Sequence, residues 1–150
     1  MKIDRREFLV ASAGGAALIA MGGIPAFAAQ EVTAMDRVKE FTGGAEAAEG
    51  LVSLSTPEIA ENGNTVPVAV DVESPMTADN YVESVVILAD GNPNPDVVTF
   101  NFTAMSGAAA AKTRIRLAKT QNIIAVAKMS DGSFHMAKNE VKVTIGGCGG

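Results

Sequence analysis

The stretch that decides the fold is VPVAVDV, residues 66–72, in which valine occupies every second position. The residues between the valines are Pro67, Ala69 and Asp71, so one face of the segment is apolar and the other is mixed. Because side chains alternate between the two faces of a β-strand, this pattern predicts a strand that is buried on one side. Proline lacks a backbone donor, so we expect Pro67 near a sheet edge or a strand start.

Further strands are predicted on both sides of this stretch, from the same two-residue period or from short apolar runs. They fall near residues 51–54, 81–89, 98–102, 114–117, 123–129, 134–137 and 141–145. Turn signals separate them at Asn62-Gly63-Asn64, in the Pro- and Gly-rich loop 90–95 and at Asp131-Gly132, where we expect a tight hairpin. About seven or eight short strands without intervening helices predict an all-β fold, a single immunoglobulin-like antiparallel β-sandwich.

A short N-terminal helix is predicted ahead of the strands. Met35, Val38 and Phe41 recur at helical spacing, which gives the segment one apolar face. Gly43-Gly44 follows directly and would end the helix.

The first 28 residues are typical of an export signal. Arg5-Arg6 precedes an uncharged stretch rich in alanine and glycine, and Ala26-Phe27-Ala28 supplies the small residues that signal peptidase needs. The run to Met21 is too short and too rich in glycine for a stable membrane span. We interpret residues 1–28 as a twin-arginine signal peptide, which predicts a mature protein exported to the periplasm. The alternative is an ordinary apolar N-terminal helix.

Charge is distributed unevenly along the remaining chain. Residues 29–111 hold thirteen acidic and two basic side chains, a net charge of −11, whereas residues 112–150 hold two acidic and seven basic ones, a net charge of +5. The mature chain therefore has a formal net charge of −6. Net acidity, without a basic run interleaved with aromatics, argues against a general nucleic-acid binder.

Reactive side chains are few: the chain has one cysteine, Cys148, and one histidine, His135. These counts exclude a Cys/His zinc site, an internal disulfide and a CxxC redox pair. A histidine-based catalytic arrangement would have to use His135, which is more simply explained as a strand or interface side chain. We therefore expect no catalytic residue, metal or cofactor in this chain.

The chain ends on five residues that contain its thiol. Gly146, Gly147, Gly149 and Gly150 flank Cys148. Glycine has no side chain and large backbone freedom, so we expect residues 146–150 to form a flexible arm that does not pack, beyond a sandwich domain at 29–145. Fully extended, such an arm would move Cys148 roughly 10 Å from Ile145.

The arm contains nothing that would activate its thiol. No histidine, lysine or helix N-terminus adjoins Cys148 to lower the thiol pKa, and the terminal carboxylate two residues away disfavours the thiolate. A catalytic nucleophile needs a built-in activator. The sequence therefore favours a thiol that carries a group for partner enzymes over a self-contained enzyme.

The ending VKVTIGGCGG, residues 141–150, resembles the C-terminus of the SoxY family of the bacterial thiosulfate-oxidising Sox system. Further stretches share the resemblance: residues 57–68, 74–77, 90–95 and 113–122. It implies that Cys148 holds sulfur intermediates covalently, and that the chain pairs with SoxZ. It also implies transient partners: the haem protein SoxXA, the metal-dependent hydrolase SoxB and, where present, the sulfur dehydrogenase SoxCD. The haem and the metal would belong to those partners.

The basic residues of the predicted strand 114–117 have two interpretations. Lys112, Arg114 and Arg116 fall on one strand face, opposite Ile115 and Leu117. They form a solvated face or partner contact, or they join Lys138 and Lys142 near the arm to guide anionic sulfur species.

Two other functions remain open at this stage. One is a thiol oxidoreductase or peroxidase that acts alone. The other is an immunoglobulin-like interaction module with an incidental thiol. We also expect one apolar sheet face to be covered in a tight heterodimer.

Overall fold

The structure is a computed structural model that describes residues 31–148. The predictions for residues 1–28, with Arg5 and Arg6, and for Gly149 and Gly150 lie outside this range. Helix α1 spans Ala34–Thr42, and a single 3₁₀ turn spans Ala104–Ser106. The strands are β1 Ala47–Ala48, β2 Val52–Ser55, β3 Ile59–Ala60, β4 Val66–Val72, β5 Val82–Ala89, β6 Asp96–Asn101, β7 Ala109–Ile115, β8 Gln121–Met129 and β9 Phe134–Val143. The helix is too short to cross a membrane, and no other helix in 31–148 is long and apolar enough to do so.

Two sheets pack face to face and confirm the predicted immunoglobulin-like sandwich. The larger sheet has the order β1-β9-β8-β5-β6, with β3 also paired to β9, and the smaller sheet has the order β2-β4-β7. The pairings are antiparallel, except that β1 and β3 run parallel to β9. The main core lies between the sheets and is built from alternate residues of β4, β5, β7 and β8.

Strand β4 follows its sequence pattern closely. All four valines of residues 66–72 are buried in the core, and Asp71 is exposed. The pairing of β4 with β2 ends at Ala69. Pro67, the second residue of β4, is therefore paired with β7 and not with β2. Proline is thus placed where a missing N–H removes no bond to β2, as the sequence predicted.

Helix α1 lies on the outer face of the larger sheet, where it covers a second apolar cluster. Ala34 and Val38 pack with Val86, Leu88, Ile124 and Val126. The predicted helix and its end at Gly43 are confirmed, because Gly43 adopts φ 63° as the C-cap. Met35 is 51% exposed, so the buried face differs from the predicted one: Ala34 takes the place expected for Met35.

Two predicted strand boundaries are wrong. Segments 134–137 and 141–145 form one continuous strand, β9, because the polar residues between them continue the pairing with β8. Strand β7 begins at Ala109 and ends at Ile115, whereas the sequence predicted a strand at 114–117. Its alanines have no apolar–polar period to reveal them, and they are held by pairing with Val70 and Val72 of β4.

Candidate functional site: the root of the cysteine segment

The chain leaves the sandwich at the end of β9, beside β3. The Lys142 N–H donates to the carbonyl of Glu58 at 2.9 Å, and the Thr144 N–H donates to the carbonyl of Ala60 at 3.0 Å. The parallel pairing with β3 therefore holds the chain firmly one residue beyond the end of β9.

Beyond Thr144, residues 145–148, which we call the glycine segment, are bonded to two loops. The Gly63 N–H donates to the Ile145 carbonyl at 2.7 Å, and the Gly147 N–H donates to the Leu117 carbonyl at 2.8 Å. The two loops are themselves joined, because the Leu117 N–H donates to the Gly63 carbonyl at 2.8 Å. These backbone bonds link the segment, the turn at Gly63 and the loop after β7 in one arrangement.

The backbones in this arrangement lie so close together that Gly63, Gly146 and Gly147 have no room for a Cβ atom. A Cβ atom at Gly63 would lie 2.6 Å from the Gly147 nitrogen, and it would also collide with the Leu117 carbonyl oxygen. A Cβ atom at Gly146 would collide with the Ala118 carbonyl, and one at Gly147 would lie 2.7 Å from the Gly63 oxygen. The expectation that the tail glycines do not pack is therefore wrong for Gly146 and Gly147.

Cys148 lies directly after this packed segment. Its N–H donates to the side-chain oxygen of Asn64 at 3.2 Å, and the thiol is free and exposed. Asn64 is held in turn, because its own N–H donates to Asn62 Oδ1 at 2.9 Å. The side chain of one turn residue thus fixes the backbone of the cysteine.

A polar network supports the loop that receives Gly147. Gln121 accepts from the Gly91 N–H at 2.7 Å and donates to Asn92 Oδ1 at 2.8 Å. Asn92 Oδ1 also accepts from the Ala118 N–H at 3.0 Å, and its Nδ2 donates to the Arg116 carbonyl at 2.9 Å. Loop 90–95 is thereby tied to residues 116–118, which form one side of the packed segment's site.

The predicted basic residues do not form one stripe. Lys112 and Arg114 are exposed on β7, opposite Ala69 and Pro67 of the smaller sheet. Lys138 and Lys142 belong to β9 of the larger sheet. Arg116 is exposed and directly precedes Leu117, whose carbonyl accepts the bond from the Gly147 N–H.

His135 is a half-buried side chain of β9 and pairs with Ala127 of β8. Its Nδ1 atom is buried and has no hydrogen-bond partner among the described residues. Within residues 31–148 no three His, Cys, Asp or Glu side chains come together to hold a metal ion. The absence of a metal, a cofactor and a catalytic residue stays a prediction.

The sequence missed the residues that hold the segment: Gly63, Asn64, Leu117, Ala118, Asn92 and Gln121. A signal was present, since the turn at 62–64, the loop 90–95 and the stretch 113–122 all belong to the blocks that resemble the SoxY family. The fold brings these three blocks together around the root of the glycine segment.

Fold and site together define a class of protein: a single β-sandwich that presents its one thiol on an exposed terminal glycine segment. The family profile described as "Sulfur oxidation protein SoxY" matches residues 38–148, and the chain belongs to this family. Family membership gives it a carrier role in sulfur oxidation and places its partners within the Sox system.

The solved structures point the same way. The sulfur carrier protein SoxY from Chlorobium limicola f thiosulfatophilum is 31% identical, with a TM-score of 0.62, and the match covers 74% of this chain and 96% of that one. Superoxide reductase (neelaredoxin) from Ignicoccus hospitalis has a TM-score of 0.57 at 16% identity, covering 63% of this chain and 80% of that one. At that identity the second likeness is one of fold alone. No match was found among curated protein sequences.

Proposed function

We propose that this protein is a periplasmic carrier that holds thiosulfate-derived sulfur covalently on Cys148 and presents it to the enzymes of the Sox system. The observation that carries the proposal is the position of Cys148: it is the only thiol of a SoxY-family chain, and it is exposed on the terminal glycine segment. The chain itself is the substrate of its partners and catalyses no step.

In the loading step the thiol is joined to thiosulfate. Cys–SH and S₂O₃²⁻ give Cys–S–S–SO₃⁻, one proton and two electrons, and a new S–S bond forms. The electrons need an acceptor, which the c-type haem protein SoxXA would supply. The product is a cysteine S-thiosulfonate on Cys148.

In the next step the metal-dependent hydrolase SoxB would cleave the bond between the terminal sulfone and the outer sulfur. Water and Cys–S–S–SO₃⁻ give sulfate, one proton and the persulfide Cys–S–SH. Where SoxCD is present, Cys–S–SH and three waters would give Cys–S–SO₃⁻, seven protons and six electrons, which pass to SoxCD. Hydrolysis by one more water would then give Cys–SH, sulfate and one proton. Covalent attachment keeps each intermediate on one carrier bound to the enzyme, so that the sulfur has only to find a nearby active site and does not diffuse away.

We also propose a tight heterodimer with SoxZ, exported by the twin-arginine pathway through the signal at 1–28. Two large exposed apolar side chains support a partner surface at this end of the larger sheet: Ile59 of β3, which pairs with Lys142, is 60% exposed, and Ile145, two residues beyond the end of β9, is 66% exposed.

The proposal is tested by Cys148→Ser. The variant should fold as the parent does, since Cys148 is exposed and only its backbone N–H is bonded. It should abolish thiosulfate oxidation by the reconstituted Sox enzymes, and intact-mass spectrometry of the native protein should find sulfur adducts on the C-terminal peptide. Ser133→Ala, on the distant β8–β9 turn, is the control.

The two other functions give different results in the same experiment. A thiol oxidoreductase or peroxidase would turn over thiol, peroxide or thiosulfate without any partner. An interaction module with an incidental thiol would lose nothing in Cys148→Ser and would carry no sulfur adduct. Either result would contradict the proposal that the protein is a sulfur carrier.

A further inference from the structure

We propose that Gly63 and Asn64 are positioning residues that hold the carrier segment in a docked state, from which Cys148 must be released before it can enter a partner enzyme. The inference rests on the proposed function. It concerns a part of the fold, the turn at 62–64, that has no role in the sulfur chemistry itself.

The docked state shortens the reach of the thiol. Measured from Ile145, three extended residues would carry Cys148 roughly 10 Å. The Gly147 N–H is bonded to Leu117 at 2.8 Å and the Cys148 N–H to Asn64 Oδ1 at 3.2 Å, so the backbone is held as far as the cysteine itself. A thiol this close to the body of the sandwich cannot be inserted deeply into a narrow active-site channel.

Docking depends on the absence of a side chain both on the turn residue Gly63 and on Gly146 of the segment. Gly63 meets the Gly147 nitrogen, and Gly146 meets the Ala118 carbonyl, at distances that leave no room for a Cβ atom. Neither Gly63 nor Gly146 has a positive φ, so alanine is compatible with both backbones. Alanine at either position therefore disturbs the contact and does not strain the local backbone.

Release exchanges a few protein hydrogen bonds for bonds to water. The three bonds that hold the segment are Gly63 N–H to Ile145, Gly147 N–H to Leu117 and Cys148 N–H to Asn64. Gly63 is buried, whereas Gly147 is half-buried and Cys148 is exposed, so water can replace the two bonds nearest the thiol most readily. A partner enzyme that binds the released segment would shift this equilibrium towards release.

Amide hydrogen exchange of the reduced protein, followed by NMR, tests the docked state directly. The reference is a synthetic peptide of residues 144–150. The Gly147 N–H should exchange about tenfold or more slowly in the protein than in the peptide, as expected for a bonded amide that opens only locally. Gly63→Ala and Gly146→Ala should each bring its rate to within about twofold of the peptide value.

The variants separate docking from folding. Gly63→Ala presses on the Leu117 carbonyl from within the sandwich, so it can lower stability, whereas the Cβ of Gly146→Ala meets the Ala118 carbonyl from a segment that can move away. Asn64→Ala should free the Cys148 N–H, and Asn94→Ala is its matched control: Asn94 Oδ1 accepts from the Asp96 N–H at 3.2 Å in another loop. Peptide-like exchange of Gly147 in the parent protein, or unchanged protection in Gly146→Ala, would overturn the proposal.

A kinetic readout connects docking to delivery. Since only the released state enters a partner, Gly63→Ala, which leaves the segment itself unchanged, should lower the apparent KM of the loading enzyme for the carrier by a factor of one plus the ratio of docked to released protein, with kcat unchanged. An unchanged KM would overturn the release step. If Cys148→Ser keeps sulfur oxidation, the proposed function fails, but the exchange result still decides whether the segment is docked.

Discussion

Gly63 lacks a side chain for a different reason from the turn glycines of this chain. Gly43 and Gly132 have φ of 63° and 85°, in the left-handed region that other residues avoid. The φ of Gly63 is not positive, and what excludes a side chain there is the backbone of Leu117 and Gly147. At the scale of single residues, the site is therefore defined by a close approach of backbones.

Asp36 is one of two carboxyl groups in residues 31–148 whose pKa is lowered, the other being Asp131. Thr33 is the N-cap of α1, and its hydroxyl donates to the Asp36 carboxylate at 2.6 Å while its N–H donates at 3.0 Å. The hydroxyl bond is the main cause that lowers the pKa of Asp36 below its usual value of 3.8. Because the folded pKa lies below the unfolded one, the carboxylate stabilises the helix above the unfolded value, and this contribution is lost as the pH falls through the folded pKa.

We therefore expect the amides of the first turn of α1 to lose protection against hydrogen exchange below about pH 4. NMR titration of the Asp36 carboxyl should give a pKa below 3.8. Asp36→Asn, which cannot ionise, should remove the pH dependence of this turn. A midpoint at or above the usual value would show that the capping box is not formed in solution.

Among the elements, the loop 90–95 matters because it braces the residues that receive the glycine segment. Gln121, the first residue of β8, is only 5% exposed and bonds to both Gly91 and Asn92. Gln121→Ala leaves the Gly91 N–H and the Asn92 side chain without these partners. Unsatisfied polar groups of this kind cost about 1–3 kcal/mol.

We expect Gln121→Ala to lower the free energy of unfolding by about that amount, and to raise the exchange rate of the Gly147 N–H. Urea unfolding and hydrogen exchange would measure the two effects. Gln121→Glu is the informative comparison, since it keeps the acceptor for Gly91 and loses the bonds donated to Asn92 Oδ1 and to the Lys119 carbonyl. A loss below about 0.5 kcal/mol in Gln121→Ala would mean that the network does not brace the loop.

The elements also show how far sequence patterns reach in this fold. The valines of β4 and the turn at Asp131-Gly132 predict a strand and a hairpin correctly, because burial and turn geometry both leave a pattern in residue types. The two-residue strands β1 and β3 were missed, since pairing with β9 gives two residues no period. The docking of Gly146 and Gly147 was missed for a related reason: backbone contacts between glycines have no side-chain signature.

The role of Cys148 could be predicted because it depends on the residue type itself and on the glycines beside it in the sequence. Its environment could not, because Asn64 and Leu117 come from loops far away in the chain and meet the segment only through the fold of both sheets. The sequence therefore predicts the thiol that the segment presents. The structure adds the residues, Asn64 and Leu117, that bind the segment.

Over the whole molecule, the acidic body and the basic C-terminal third do not separate into two surfaces. The sandwich places Lys112 and Arg114 on β7 of the smaller sheet and Lys138 on β9 of the larger one. Arg37 is already paired with Glu40 at 2.7 Å and Lys128 with Glu83 at 2.7 Å. Of the predicted anion contacts, Arg116 is the best placed, since it adjoins Leu117 in the chain.

We expect the double reversal Arg114→Glu and Arg116→Glu to slow the loading of Cys148 with thiosulfate several-fold at low salt. Its physical reason is the field of two cations at the end of β7, of which Arg116 lies next to Leu117; this field attracts an anionic substrate and is screened when the Debye length falls to about 8 Å at physiological ionic strength. Lys39→Glu with Lys138→Glu makes the same change in net charge on α1 and β9. Intact-mass spectrometry during loading would follow all three proteins. Equal slowing in both double variants would assign the effect to the net charge of the molecule, and unchanged loading at low salt would remove Arg114 and Arg116 from any role in guiding the anion.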